Sequence, residues 1–80
     1  MTWREWIVQA LQNLGGTAYY EELYIELRRI RPGPFTRQWK ATVRNTVESH
    51  SSHSANWRPE RPDLFYVIGG LGSGHWGLRS

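Results

Sequence analysis

Arg37, Lys40, Ala41, Arg44, Asn45 and Glu48 recur at spacings that, on a helix, bring them to one side. A guanidinium pairs in planar, bidentate fashion with guanine edges and phosphates, and a carboxamide pairs in the same way with adenine. An exposed helix side bearing both has the chemistry of a reader of double-stranded DNA; the plainer alternative is a solvated basic surface. Trp39, Val43, Val47 and His50 stack on the other side, flanked by Thr46. Trp39 stands between two roles. Its spacing fits core packing, whereas its place in the first turn would let a flat ring reach a methyl group in a groove.

The other reactive types do not assemble. His50, His53 and His75 are the only imidazoles, and with no cysteine in the chain they leave a metal site short of ligands. Ser52-His53 suggests a hydrolase, but a nucleophile needs an oriented base and a closed site, for which a chain of 80 residues has little room. The run Gly69-Gly70-Leu71-Gly72-Ser73-Gly74 lies between two strand-like segments, whereas nucleotide-binding glycine loops join a strand to a helix. It reads as a hairpin tip, slim enough to approach a DNA backbone through its amides. No catalytic set, cofactor, metal site or small-molecule substrate is expected.

The elements that position these residues follow from pattern. Thr2 and Glu5 form a capping box ahead of Trp3, Trp6, Ile7, Ala10, Leu11 and Leu14, predicting a helix over 3–14 that Gly15-Gly16 stops. Thr17-Ala18-Tyr19 is long enough only for a brief edge strand. Tyr20, Leu23, Tyr24, Leu27 and Ile30 mark a second helix, with Glu21, Glu22, Glu26 and Arg29 expected outside, and Pro32-Gly33-Pro34 ends it. A third helix is expected from about Thr36, as its cap, to about Ser49. Residues 49–63 read as a long polar loop, a length more often functional or mobile than idle. Leu64–Ile68 and His75–Arg79 read as a β-hairpin. Three helices closed by a two-stranded hairpin predict an α+β, winged helix-turn-helix domain over residues 1–80. In that arrangement the third helix enters the major groove and the hairpin is the wing.

Charge divides along the chain. Residues 1–27 hold Arg4 against Glu5, Glu21, Glu22 and Glu26, whereas residues 28–80 hold nine cations against Glu48, Glu60 and Asp63, within an overall charge of +3. Such polarity proposes a half that faces a polyanion. A single domain this small buries only roughly 60–65% of its unfolded surface. Five Trp, four Tyr and two Phe are therefore needed to make its core without disulfides. The missing cysteines fit a reducing cytoplasm, and neither a membrane-spanning run nor a signal peptide is expected.

Two stretches together carry a resemblance: Trp39-Lys40-Ala41-Thr42-Val43-Arg44-Asn45-Thr46-Val47 with His50-Ser51-Ser52, and Asp63-Leu64-Phe65-Tyr66 through Gly70-Leu71-Gly72-Ser73-Gly74-His75-Trp76-Gly77-Leu78-Arg79. With Trp3-Arg4-Glu5 and Leu14-Gly15-Gly16-Thr17, the chain resembles the winged-helix domains of prokaryotic restriction endonucleases, notably those fused to HNH nucleases or cutting methylated DNA. The resemblance implies a reader of N6-methyladenine in duplex DNA, often in a GATC context, with a nuclease domain elsewhere in a longer protein. It implies apolar contact with methyls from Trp39 and Ala41 and base-edge contact from Arg37, Arg44 and Asn45. Backbone contact falls to Lys40, Arg58, Arg61, Ser73 and His75. Each buried methyl contributes only about 0.8 kcal/mol by area, so strong selection needs a gap or trapped water in the unmethylated complex. The competing expectations are a transcriptional regulator reading unmodified DNA and a protein-binding winged helix.

Overall fold

The computed structural model describes residues 1–79, which fold into a small α+β domain of three helices and a three-stranded antiparallel sheet. Helix α1 spans Trp3–Asn13 and begins with the expected capping box: Thr2 Oγ1 accepts from the Glu5 amide at 3.3 Å, and Glu5 Oε1 accepts from the Thr2 amide at 2.8 Å. Beyond it Gly15 and Gly16 take φ of 92° and 101°, a left-handed turn that lets the Gly16 amide donate to the Leu11 carbonyl at 2.8 Å.

Strand β1 (Thr17–Tyr19) runs straight into α2 (Tyr20–Ile30), with the Glu22 carboxylate accepting from the Tyr19 amide at 2.9 Å. Glu26 departs from expectation. Its side chain is buried, taking hydrogen bonds from Asn13 Nδ2 at 2.9 Å and from Arg29 Nε at 2.9 Å. A carboxylate can be covered when charge-assisted donors replace the water it loses, which an amphipathic helical pattern does not register. Those donors, Arg29 first, hold its pKa down at about 2.

Helix α3 begins later than expected, at Trp39, and ends at Ser49. Thr36 is not its cap. Residues 36–38 form a turn in which the Trp39 amide donates to the Thr36 carbonyl at 3.3 Å, so Arg37 lies before the helix. Inside, Trp39 is ringed by Trp3, Tyr24 and Phe35, at centroid separations of 6.2, 5.4 and 4.9 Å. Ile7, Leu11, Leu23, Leu27, Val43, Val47 and Phe65 complete a core shared by all three helices and the sheet.

The sheet has three strands where a two-stranded hairpin was expected. β3 (His75–Leu78) lies between β1 and β2 (Phe65–Ile68). The register pairs Ala18 with Trp76 and Val67 with Trp76, which turns Ala18, Trp76 and Phe65 to the helices. Thr17–Tyr19 gains strand geometry from this long-range pairing, not from its own length.

The 50–64 segment is tied at both ends. The His50 carbonyl accepts from the Leu64 amide at 2.8 Å, and Asp63 accepts from both the amide and the hydroxyl of Ser52, at 2.9 and 2.6 Å. Within it Ser51 and Ser54 are buried.

Candidate nucleic-acid interface

Burial of Trp39, Val43 and Val47 fixes the rotation of α3 and turns Lys40, Arg44 and Asn45 to solvent. Arg37 is exposed in the turn just before them, and Ala41 is half-exposed between. Lys40 Nζ lies 5.1 Å from the Tyr24 ring centroid, a cation–π contact that steadies its stem while leaving its charge at the surface. Among the described residues the ion pairs are Glu26–Arg29 and Asp63–Arg79, and neither involves this side of the molecule. Arg37, Lys40, Arg44, Arg58 and Arg61 therefore have no carboxylate partner among the described residues. Charge left unneutralised over one surface raises the local concentration of polyanions.

Two clefts separate the helix from the 55–61 loop and from the hairpin. On one side Thr42, Asn45, Thr46 and Ser49 face the 55–61 loop, including Trp57, Arg58 and Arg61, across about 660 Å³. On the other, Arg44 and Glu48 face Tyr20 and the hairpin residues Leu71, Gly72, Gly74 and Trp76 across about 330 Å³. Ala55 and Asn56 border both clefts, and Asn56 Nδ2 donates to Glu48 Oε1 at 3.2 Å. The loop thus bonds to α3 near its C-terminal end, while the cleft between them reaches back to Thr42. Glu48 also accepts from Tyr20 Oη at 3.4 Å; burial first, and this carboxylate second, push the phenol upward from its ordinary pKa.

Not every expected contact residue is brought here. Trp39 is only 7% exposed and belongs to the core, so it offers no ring to a groove. Ser73 donates its one hydroxyl proton to the Ile68 carbonyl at 2.6 Å and accepts from the His75 amide at 3.2 Å, closing the hairpin turn. It keeps no proton for a phosphate oxygen, which only accepts. His75 stacks on Tyr19 at 4.1 Å, on the sheet face opposite Ala18 and Trp76, turned away from the helices. Arg58 and Arg61, by contrast, stand beside α3 as cleft walls.

The histidines diverge as well. His50 is buried with Nδ1 2.7 Å from the Thr46 carbonyl, and His53 Nδ1 accepts from the Val67 amide at 3.2 Å along the edge of β2. Trp57 and the hydroxyls of Thr42, Thr46 and Ser49 were not singled out from sequence. An indole next to an arginine in Trp57-Arg58 was the available signal. No protein-family model, curated protein or solved structure matches this chain.

Proposed function

We propose that this chain is a winged-helix module that binds duplex DNA through the first half of α3, and that it reads N6-methyladenine. The observation that carries the DNA reading is the set of exposed cations without a carboxylate partner among the described residues: Arg37, Lys40 and Arg44 on or before α3, with Arg58 and Arg61 across the cleft from Asn45. A helix with side chains fits the major groove, and its N-terminal residues are the ones that reach base edges. The β2–β3 hairpin beside the helices supports the winged-helix assignment, with Gly70–Gly74 as the wing tip.

In this reading Arg37, Arg44 and Asn45 take base edges, Lys40, Arg58 and Arg61 take phosphates, and half-exposed Ala41 supplies the apolar contact for a methyl. The methyl specificity rests on the family resemblance, and the nuclease that would use it belongs to another part of a longer protein. The module itself acts by binding alone.

Titration of one GATC duplex, fully N6-methylated and unmethylated, over a series of salt concentrations tests both parts. Phosphate contact predicts that log K falls linearly with log salt. Methyl reading predicts tighter binding of the methylated duplex at every salt concentration. Equal affinities would remove the methyl reading alone, and salt-independent binding would remove the DNA reading. Cleavage of DNA by this chain with magnesium would overturn its assignment as a binding module.

A further inference from the structure

Resting on the DNA reading above, we propose that the cleft between α3 and the 55–61 loop straddles one strand of the duplex, with Trp57 as a binding residue whose indole packs on that strand's deoxyribose. Three hydroxyls of the α3 wall are turned to backbone carbonyls, and the Asn45 carboxamide beside them offers both a donor and an acceptor. On the α3 wall Thr42 Oγ1 donates to the Gln38 carbonyl at 3.3 Å, Thr46 Oγ1 to the Thr42 carbonyl at 2.7 Å, and Ser49 Oγ to the Thr46 carbonyl at 3.3 Å. Each hydroxyl has a single proton, so these three keep only lone pairs for a ligand, and Ser49 Oγ lies in addition 3.2 Å from His50 Nδ1. These three hydroxyls suit a donor and not a phosphate oxygen. In the major groove the donors are the exocyclic amino groups of adenine and cytosine.

The loop wall carries the cations. Arg58 and Arg61 only donate, and neither has a carboxylate partner among the described residues. Beside them Trp57 leaves 37% of its surface to solvent. In the proposed complex the loop arginines meet phosphate, the indole meets sugar, and the hydroxyl lone pairs of α3 meet an amino-bearing base edge. The opening of about 660 Å³ is within the ~300–1,000 Å³ of small-ligand clefts and exceeds what a single water-filled crease needs. The loop is also held ready: the Arg58 amide donates to the Ser49 carbonyl at 3.2 Å, Asp63 grips Ser52, and Pro59 and Pro62 fix φ. A wall already ordered loses little entropy when a strand arrives.

The test is a salt series of duplex titrations with the full chain and the variants R58A, R61A and W57A, using the methylated GATC duplex as probe. R58A and R61A are each expected to lower the magnitude of the salt slope by about one. W57A is expected to weaken binding roughly tenfold at unchanged slope, the scale of an interfacial tryptophan. Circular dichroism melts check that the variants remain folded. Selection from randomised duplexes is expected to enrich adenine or cytosine at one position for the wild type, and T46V, which removes a lone-pair acceptor at near-constant shape, to lose that enrichment. If the wild type binds with a steep salt slope that R58A and R61A leave unchanged, and W57A binds as tightly, the cleft proposal is overturned and the DNA reading stands. If the wild type shows no salt-dependent duplex binding, the DNA reading falls and takes the cleft with it.

Discussion

The ring of Tyr66 occupies the space that a side chain on its cross-strand partner Gly77 would need: a Cβ there would overlap Cζ and Cε1 and lie 2.7 Å from Oη. Gly77 does not sit at positive φ, so the constraint is steric contact, not backbone conformation. Gly77→Ala is therefore expected to destabilise the domain by roughly 1–3 kcal/mol, the scale of an overpacked site. Adding Tyr66→Ala should relieve much of that loss, giving a strongly non-additive cycle in urea or thermal melts. Additive effects would show that the two residues act separately.

Acid should weaken the domain in two stages. Burial, the largest cause, lowers the pKa of His50 from 6.5, so the folded state favours the neutral ring. Its contribution is complete above the unfolded value near 6.5 and declines as pH falls below it. Glu26, lowered from 4.5 to about 2 by Arg29 and Asn13, contributes fully above 4.5 and loses that contribution as pH falls toward 2. Glu26→Gln should therefore be less stable than wild type at pH 7, with a gap that narrows between pH 4.5 and 2. A gap constant across that range would mean the carboxylate charge contributes nothing.

The sequence showed elements more clearly than it showed surfaces. α1 was legible because its cap, apolar period and glycine stop agree with one another, and the late start of α3 was missed because Thr36 resembles a cap but sits in a turn. β1 was visible only as a possibility, since three residues become a strand when Trp76 and His75 arrive from the far end of the chain. The exposure of Arg37, Lys40, Arg44 and Asn45 follows from helical period once the buried side is known. The Trp57 cleft was hidden, because no periodicity tells which side of a polar loop folds back along a helix. The partners of the Ser73 hydroxyl were hidden for a related reason: composition cannot say where a hydroxyl proton goes.

Trp39 separates packing from contact. Held among Trp3, Tyr24 and Phe35 and 7% exposed, it is expected to cost about 3–5 kcal/mol when changed to Ala, as large core aromatics do. Trp39→Phe, which keeps most of the apolar volume, should retain the fold and bind DNA nearly as wild type does. Parallel denaturation and duplex-binding measurements check this. A folded Trp39→Phe protein that no longer discriminates methylated DNA would return the ring to the recognition surface.

Glu48 sets a boundary on the proposed interface. It is the one carboxylate within α3, a turn beyond Arg44, where Asn56 and Tyr20 hold it from either side. Glu48 lines the cleft on the hairpin side of α3 and not the Trp57 cleft, so its charge repels a phosphate strand approaching from the hairpin side. Glu48→Gln keeps a carbonyl that accepts a hydrogen bond and removes the charge, so stability should change by no more than about 0.5 kcal/mol. Duplex affinity should rise roughly two- to fivefold at low salt, and the gain should shrink as salt screens the interaction. Fluorescence anisotropy of a labelled duplex at two salt concentrations measures both quantities. An unchanged affinity at low salt would mean that the duplex stays clear of Glu48, and that contact is confined to the Arg37–Asn45 end and the loop arginines.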